Sequence, residues 1–132
     1  MKLFFIVLNV GLFLSTSSMG VVRTIPKNNL IDAIIYVESR GDTNAHNISE
    51  DAVGCLQIRP IMLREVNRLL GYNKYKLADR WDKEKSIEMF NVIKEHTTNP
   101  TNEKLARNWN GGWSGYKKQS TLKYWHKVKE QL

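Results

Sequence analysis

Glu38 is the acidic residue whose sequence context best suits acid–base chemistry. It continues an apolar helical face formed by three isoleucines, Ile31, Ile34 and Ile35. A carboxyl group at the end of a buried face loses hydration, and its pKa should rise because burial disfavours the charged form. Such a group can protonate a leaving oxygen near neutral pH. The alternative is a helix-end glutamate that is partly exposed or paired with Arg40 or Arg59.

A second candidate is the segment 108–116, which places two tryptophans around a Gly-Gly turn with asparagine side chains beside them. Sugar rings have apolar C–H faces and polar edges. Flat aromatic rings next to amide donors and acceptors therefore suit a glycan-binding surface. The alternative is an ordinary turn between two core tryptophans, Trp109 and Trp113.

The cysteine and histidine residues form no recognisable catalytic or metal-binding pattern. Cys55 is the only cysteine and lies in an apolar stretch, which predicts a buried, inert thiol without a disulfide partner within the chain. A nucleophilic thiol would need a nearby histidine. The three histidines are scattered without the spacing of metal ligands. We therefore expect neither a cysteine nucleophile nor a zinc site, and no cofactor.

The apolar pattern predicts a mainly α fold, and the lack of repeats or low-complexity linkers favours a single domain. Five helices should position the candidate residues. They are predicted over 29–39, 60–70 and 82–96, in a short segment after Thr101, and in a last segment after Thr121. The only candidate for β structure is a short hairpin between Asp42 and Ile58.

Residue types at the ends of these helices act as start and stop signals. Thr101 and Thr121 are expected to cap the fourth and fifth helices with their hydroxyl groups. Gly41 and Gly71 follow the first and second helices and are expected to terminate them.

The first 20 residues differ from the rest of the chain. A positive start is followed by an apolar run over 3–14, and Ser18 and Gly20 occupy the −3 and −1 positions of a signal-peptidase site. This run is shorter than the ~20 residues that span a bilayer. We interpret 1–20 as a signal peptide and 21–132 as the mature domain. A secreted or periplasmic protein, or a virion-associated one if a phage encodes it, is expected; the alternative is an uncleaved N-terminal anchor.

The formal net charge is +7, and most of the basic excess lies after residue 103. Basic clusters commonly indicate nucleic acid. An exported protein more often meets anionic cell-wall polymer or a membrane surface. The alternative is a solvated helix face without a partner. We expect a monomer that has no nucleic-acid partner and no stable membrane insertion after signal cleavage.

Four short blocks, in order, resemble the lytic transglycosylase domain of the soluble (SLT) type, a bacterial and phage branch of the lysozyme-like superfamily. Residues 38–41 are similar to its Glu-Ser-x-Gly block, and residues 54–58 to its Gly-Leu-Met-Gln-Ile block. Residues 106–112 resemble Ala-x-x-Tyr-Asn-Ala-Gly, and 121–124 the closing Thr-x-x-Tyr. The resemblance covers about residues 28–129 and implies a lysozyme-like, mainly α fold.

The resemblance implies roles for four residues of these blocks. Glu38 would be the general acid and later the base. Gln57 would line the glycan groove, and Asn110 would contact sugar and support the site. The hydroxyl of Tyr124 would approach the catalytic carboxyl group.

Three further residues are expected near the substrate. Ser39 matches a position that is usually structural and close to the site, and Trp109 replaces the usual tyrosine, which removes a hydroxyl group. In the loop before residue 54, Asn47, Ser49 and Asp51 are alternatives for the residue that faces substrate, and Ser49 is our prediction.

The resemblance implies cleavage of the β-1,4 bond between N-acetylmuramic acid and N-acetylglucosamine in peptidoglycan, with a 1,6-anhydro product. A hydrolytic muramidase is an alternative, because Asp42, Glu50 or Asp51 could supply the second carboxylate that hydrolysis ordinarily needs. A non-catalytic wall-binding module is the alternative from another class, and a nucleic-acid binder is the least favoured one.

Overall fold

A computed structural model of the protein describes residues 29–132. The predicted mainly α fold with a short hairpin is confirmed. The helices are α1 (Leu30–Ser39), α2 (Pro60–Leu70), α3 (Lys83–Glu95), α4 (Asn102–Gly111) and α5 (Leu122–Lys129). Strands β1 (His46–Asn47) and β2 (Ala52–Val53) form one antiparallel pair. The signal peptide predicted over 1–20 lies outside the described residues.

The apolar faces of the helices pack together in one core. Helix α1 contributes Ala33, Ile34 and Ile35, which are all buried. Burial of Ile34 and Ile35 was predicted from the helical spacing, whereas Ile31 of the predicted face is only partly buried. Phe90 of α3 packs on Trp109 of α4, with ring centroids 5.1 Å apart. None of the helices within 29–132 is long and apolar enough to cross a membrane.

Side-chain caps fix the starts of three helices. The Asn29 carboxamide oxygen accepts a hydrogen bond from the backbone N–H of the third residue of α1 (2.9 Å), and the Asp82 carboxylate does the same for α3 (2.9 Å). The predicted cap at Thr101 is confirmed, since its hydroxyl accepts from the Lys104 N–H at 3.1 Å. Gly71 ends α2 in the left-handed region, with φ +80°, as predicted.

The two other terminus predictions are wrong. Thr121 precedes α5 but makes no side-chain cap. Its hydroxyl lies within hydrogen-bond reach of the carbonyl oxygens of Gly115 (2.7 Å) and Lys118 (2.8 Å), so it is already used by the preceding turns. At the end of α1, Arg40 rather than Gly41 takes the left-handed cap position, with φ 56°.

Two buried arginines hold the segments that carry no long helix. The Arg80 guanidinium donates to the carbonyl oxygens of Asp51 (2.7 Å) and Ile58 (3.0 Å), which holds the turn between β1 and β2 and the residue that bridges to Val53. Arg107 donates to Thr121 Oγ1 (2.9 Å) and to the Lys118 carbonyl oxygen (3.0 Å). Both arginines stabilise segments that contain short 3-10 helices. These helices were not predicted from the sequence, and they span Leu77–Trp81, Gly115–Lys117 and Gln119–Thr121.

Candidate active site

Glu38 is the penultimate residue of α1 and lines a cavity of about 200 Å³. We call this space the polar cavity, because most of its walls are polar side chains. It lies between the end of α1, the hairpin, the start of α2 and the end of α4. Its lining consists of Glu38, Asn47, Glu50, Ala52, Gln57, Arg59, Met62, Trp109 and Asn110. Three of the predicted site residues from different blocks of the sequence, Glu38, Gln57 and Asn110, therefore face one space.

The environment of Glu38 shifts the pKa of its carboxyl group so that the protonated and ionised forms are both populated near neutral pH. Burial raises its pKa from 4.5 to about 7, and the nearby Glu50 carboxylate also raises it. A hydrogen bond from Tyr124 and the positive charge of Arg59 oppose this rise. A carboxyl group with this pKa can both give and take a proton at neutral pH.

Tyr124 is the direct partner of Glu38. Its hydroxyl donates a hydrogen bond to Glu38 Oε1 at 2.8 Å from the first turn of α5, which packs on α1. Burial and the neighbouring carboxyl group raise the pKa of Tyr124 well above its usual value, so the phenol stays protonated and remains a donor. The predicted approach of this hydroxyl to Glu38 is present in the structure.

Gln57 is held in place by its own loop. Its backbone is in the left-handed region (φ 51°), and its side-chain Nε2 donates to the carbonyl oxygens of Gly54 (2.9 Å) and Ala45 (3.2 Å). These bonds engage the amide nitrogen and leave the side-chain oxygen as the group that can accept from a ligand.

The end of α4 supplies one exposed and one buried neighbour of the site. Asn110 is exposed and can hydrogen-bond a ligand in the polar cavity. Trp109 is only 4 % exposed, donates from Nε1 to the Leu56 carbonyl oxygen (3.2 Å) and packs in the core. Trp109 also lines the polar cavity, and its burial agrees with the core-tryptophan interpretation, whereas Trp113 is 44 % exposed and does not.

The two predicted serines lie outside the lining of the polar cavity. The Ser39 hydroxyl donates to the Cys55 carbonyl oxygen at 2.8 Å, which ties the end of α1 to the segment after β2. This agrees with the structural role implied for Ser39. Ser49 is exposed and donates to Asn47 Oδ1 at 2.8 Å. Of the three loop residues considered for substrate contact, Asn47 is the one that lines the cavity.

Sequence reasoning did not place Met62 in the site. It considered Arg59 only as an ion-pair partner of Glu38, and Glu50 only as one of three possible second carboxylates. Arg59 and Met62 lie at the start of α2, where they line both the polar cavity and a neighbouring cavity of about 490 Å³. We call the larger one the apolar cavity, because Ile61, Met62, Ile93 and Trp113 line much of it. The sequence Arg59-Pro60 could have indicated this position for Arg59. Proline often begins a helix, and the residue just before a helix lies next to the preceding loop.

Cys55 is buried, as predicted, and burial raises the pKa of its thiol. A raised pKa keeps the thiol protonated and therefore poorly nucleophilic. In the described part of the chain, no group of three or more His, Cys, Asp or Glu side chains is arranged to hold a metal ion.

The raised pKa of Glu38 makes stability depend on pH. Because the folded-state pKa lies above the unfolded value, protonation of Glu38 favours the fold, and this stabilisation is lost as pH rises from 4.5 through about 7. Its size is at most about 3 kcal/mol. Glu38→Gln removes the titration, so we expect the variant to gain up to that amount over the wild type at pH 8.5 but not at pH 4.5. Urea unfolding of both proteins at the two pH values measures the difference.

Glu95→Gln is the matched control, since Glu95 is exposed at the end of α3. The same substitution there should leave the pH dependence of the wild type unchanged. A difference between Glu38→Gln and the wild type that does not vary with pH would show that the pKa of Glu38 is the same in the folded and the unfolded chain, and it would contradict the raised pKa.

Comparisons of the chain with protein-family models, curated proteins and solved structures gave no significant match.

Proposed function

We propose that this protein cleaves the glycan strands of peptidoglycan at the β-1,4 bond between N-acetylmuramic acid and N-acetylglucosamine, as a lytic transglycosylase. One observation carries the proposal. The Glu38 carboxyl, with a pKa of about 7, lines a polar cavity together with Gln57 and Asn110, and the Tyr124 hydroxyl is hydrogen-bonded to it. The order of the sequence blocks that resemble the SLT-type domain supports the choice of substrate.

In the proposed reaction, protonated Glu38 donates its proton to the oxygen that links the two sugars. The bond from that oxygen to C1 of the muramyl ring breaks, and positive charge develops at the ring. Glu38, now a carboxylate, takes the proton of the C6 hydroxyl of the same ring as its oxygen bonds to C1. The products are a 1,6-anhydromuramyl end and a new N-acetylglucosamine end, and no water is consumed.

Tyr124 and Arg59 support the second half of this reaction. The tyrosine hydroxyl and the arginine charge both favour the carboxylate form of Glu38, whereas burial favours the acid form. One carboxyl group can therefore serve as acid and as base in turn. A second carboxylate is not required, because the substrate supplies its own nucleophile.

A hydrolytic muramidase is the second candidate, and Glu50 is the observation that favours it. Among the three loop acids considered, Glu50 lines the same cavity as Glu38, while the Asp51 carboxylate is paired with Arg80 (3.5 Å). A second carboxylate facing the same ring could activate water for hydrolysis. Asp42 instead accepts a hydrogen bond from the Asn44 N–H at 2.8 Å and stabilises a turn.

Digestion of purified peptidoglycan, followed by mass spectrometry of the soluble fragments, separates these candidates. We expect fragments with 1,6-anhydromuramyl ends. Reducing ends, which are heavier by one water molecule, would assign the protein to the hydrolases instead. Binding to wall sacculi without release of any fragment would favour the non-catalytic wall-binding module and overturn the proposal. The secreted, periplasmic or virion location remains a prediction.

A further inference from the structure

The polar and apolar cavities meet at a shared wall. Arg59, Met62, Trp109 and Asn110 line both of them, so a ligand that fills the polar cavity has direct access to the apolar one. Trp113 lines only the apolar cavity, and its Nε1 donates to Glu65 Oε1 at 2.6 Å. The two cavities can therefore hold different parts of one ligand.

Arg59 differs from the other charged residues of the two linings. Glu38 accepts from Tyr124, Glu65 accepts from Arg68 and Trp113, Lys118 donates to the Gly111 carbonyl oxygen, and Glu50 accepts a long hydrogen bond from Asn47. Within residues 29–132, the Arg59 guanidinium makes neither a hydrogen bond nor an ion pair.

The position of Arg59 is nevertheless defined by the fold. Its backbone is extended (φ −86°, ψ 155°) immediately before Pro60 begins α2, and its side chain is half-buried at the wall between the cavities. A guanidinium offers five N–H donors in a fixed plane. Donors without protein partners at a half-buried place are available to an acceptor on a ligand.

We propose that Arg59 binds a carboxylate on the side arm of the muramyl ring, with the apolar part of that arm in the apolar cavity. The proposal rests on the proposed function, in which the muramyl ring lies at Glu38. A carboxylate is the group that matches a guanidinium fork in charge and in geometry. The muramyl ring carries a lactyl ether, which ends either in a free carboxylate or in a stem peptide with its own carboxylates.

The apolar cavity suits the remainder of such a side arm. Lactyl and alanyl groups carry methyl groups, and Ile61, Met62 and Ile93 offer apolar surface for them. N-Acetylglucosamine rings have no carboxylate, so Arg59 would distinguish the two sugars of the strand. The cleaved bond would then be selected by the charge of one ring as well as by its position at Glu38.

The test uses four substrates and measures kcat/KM from new glycan ends detected by mass spectrometry. Two of the substrates are intact peptidoglycan strands and strands from which an amidase has removed the peptide, leaving the lactyl carboxylate. The other two are the same strands after carbodiimide and ammonia have converted their carboxylates to amides. A charge-assisted hydrogen bond predicts that neutralisation lowers kcat/KM of the wild type by about tenfold to a hundredfold. A loss with the peptide-free strands identifies the lactyl carboxylate, and a loss confined to intact strands identifies the stem peptide.

Arg59→Gln should cleave charged and neutralised strands with nearly equal kcat/KM. Because Arg59 also lowers the pKa of Glu38, the informative quantity is this ratio and not the total activity. Arg64→Gln is the matched control, since Arg64 is exposed on the same helix and lines neither cavity. It should keep the ratio of the wild type.

Equal cleavage of charged and neutralised strands by the wild type would overturn the inference and leave the proposed function intact. The inference would also be overturned if Arg59→Gln kept the wild-type ratio of kcat/KM for charged and neutralised strands. Absence of new ends from all four substrates would instead reject the proposed function, and the inference with it. If the Arg59 variant folds poorly, equal cleavage of charged and neutralised strands by the wild type would still overturn the inference.

Discussion

Glu38→Gln is expected to lower the rate of peptidoglycan cleavage by about a thousandfold, as for the loss of a general acid. Glutamine keeps the size of the side chain, and its oxygen can still accept the hydrogen bond that Tyr124 donates over 2.8 Å. The variant has no proton to give to the leaving oxygen and no carboxylate to take one back. The release of soluble fragments from purified peptidoglycan, followed over time, measures the effect.

Loss of activity is informative only if the fold is retained. Circular dichroism and thermal unfolding should show a folded Glu38→Gln protein, because the substitution removes a charge that burial disfavours. Glu95→Gln, with the same change at an exposed helix end, should cleave at the wild-type rate. A Glu38→Gln protein that keeps more than a tenth of the wild-type rate would mean that another group is the acid.

The opposite effects of this substitution on stability and on activity have one cause. Burial disfavours the Glu38 carboxylate, which destabilises the fold above pH 7 but keeps a proton available near neutral pH. Stability lost at a reacting group is a common cost of function. A glutamate selected only for stability would lie on the exposed side of α1, next to Asp32 and Tyr36.

The helices were predictable because their signals are local. Apolar residues recur at helical spacing, and Asn29, Asp82 and Thr101 stand where caps are needed. Thr121 carries the same signal but is used differently. Its hydroxyl belongs to a buried network with Arg107, which is 14 residues away in the chain, and no local pattern reports such a contact.

The candidate site was predictable only in part, for the same reason. The helical periodicity of α1 is sufficient to select Glu38 as a carboxyl at the end of a buried face. Its hydrogen bond to Tyr124 joins residues 86 positions apart, so spacing could not predict it, and the expectation came from the family resemblance. Glu50 was only one of three loop acids considered, and Arg59 was considered only as a partner of Glu38. The path of the loop brings both side chains to the cavity, and periodicity does not describe that path.

Gly54→Ala is expected to be the most destabilising of the substitutions considered, with a loss of about 4 kcal/mol in the free energy of unfolding. Gly54 has a φ of +79°, and a Cβ atom there would lie 2.0 Å from the backbone oxygen of Arg80. That oxygen cannot easily retreat. It accepts a hydrogen bond from the buried Ser86 hydroxyl (3.1 Å), and the Arg80 side chain is bonded to the hairpin region.

Gly41→Ala separates the two causes of the stability loss, which are the left-handed backbone and the contact of the new Cβ atom with Arg80. Gly41 has a similar φ of +86°, but no atom lies within 4 Å of the position of its Cβ. It should therefore lose only the cost of a left-handed non-glycine residue, about 1 kcal/mol. Urea unfolding of both variants measures the difference, and equal losses would mean that the contact with Arg80 is relieved by a small shift.

The same contact links the stability of the hairpin region to the site. Displacement of residue 54 would move the carbonyl oxygen that accepts from Gln57 Nε2 (2.9 Å), and the next carbonyl, that of Cys55, accepts from Ser39 beside Glu38. Gly54→Ala should therefore lower glycan cleavage under conditions where the variant is still fully folded, whereas Gly41→Ala should not. If folded Gly54→Ala cleaves at the wild-type rate, the position of Gln57 does not depend on this segment, and its side chain is held by the Ala45 carbonyl alone.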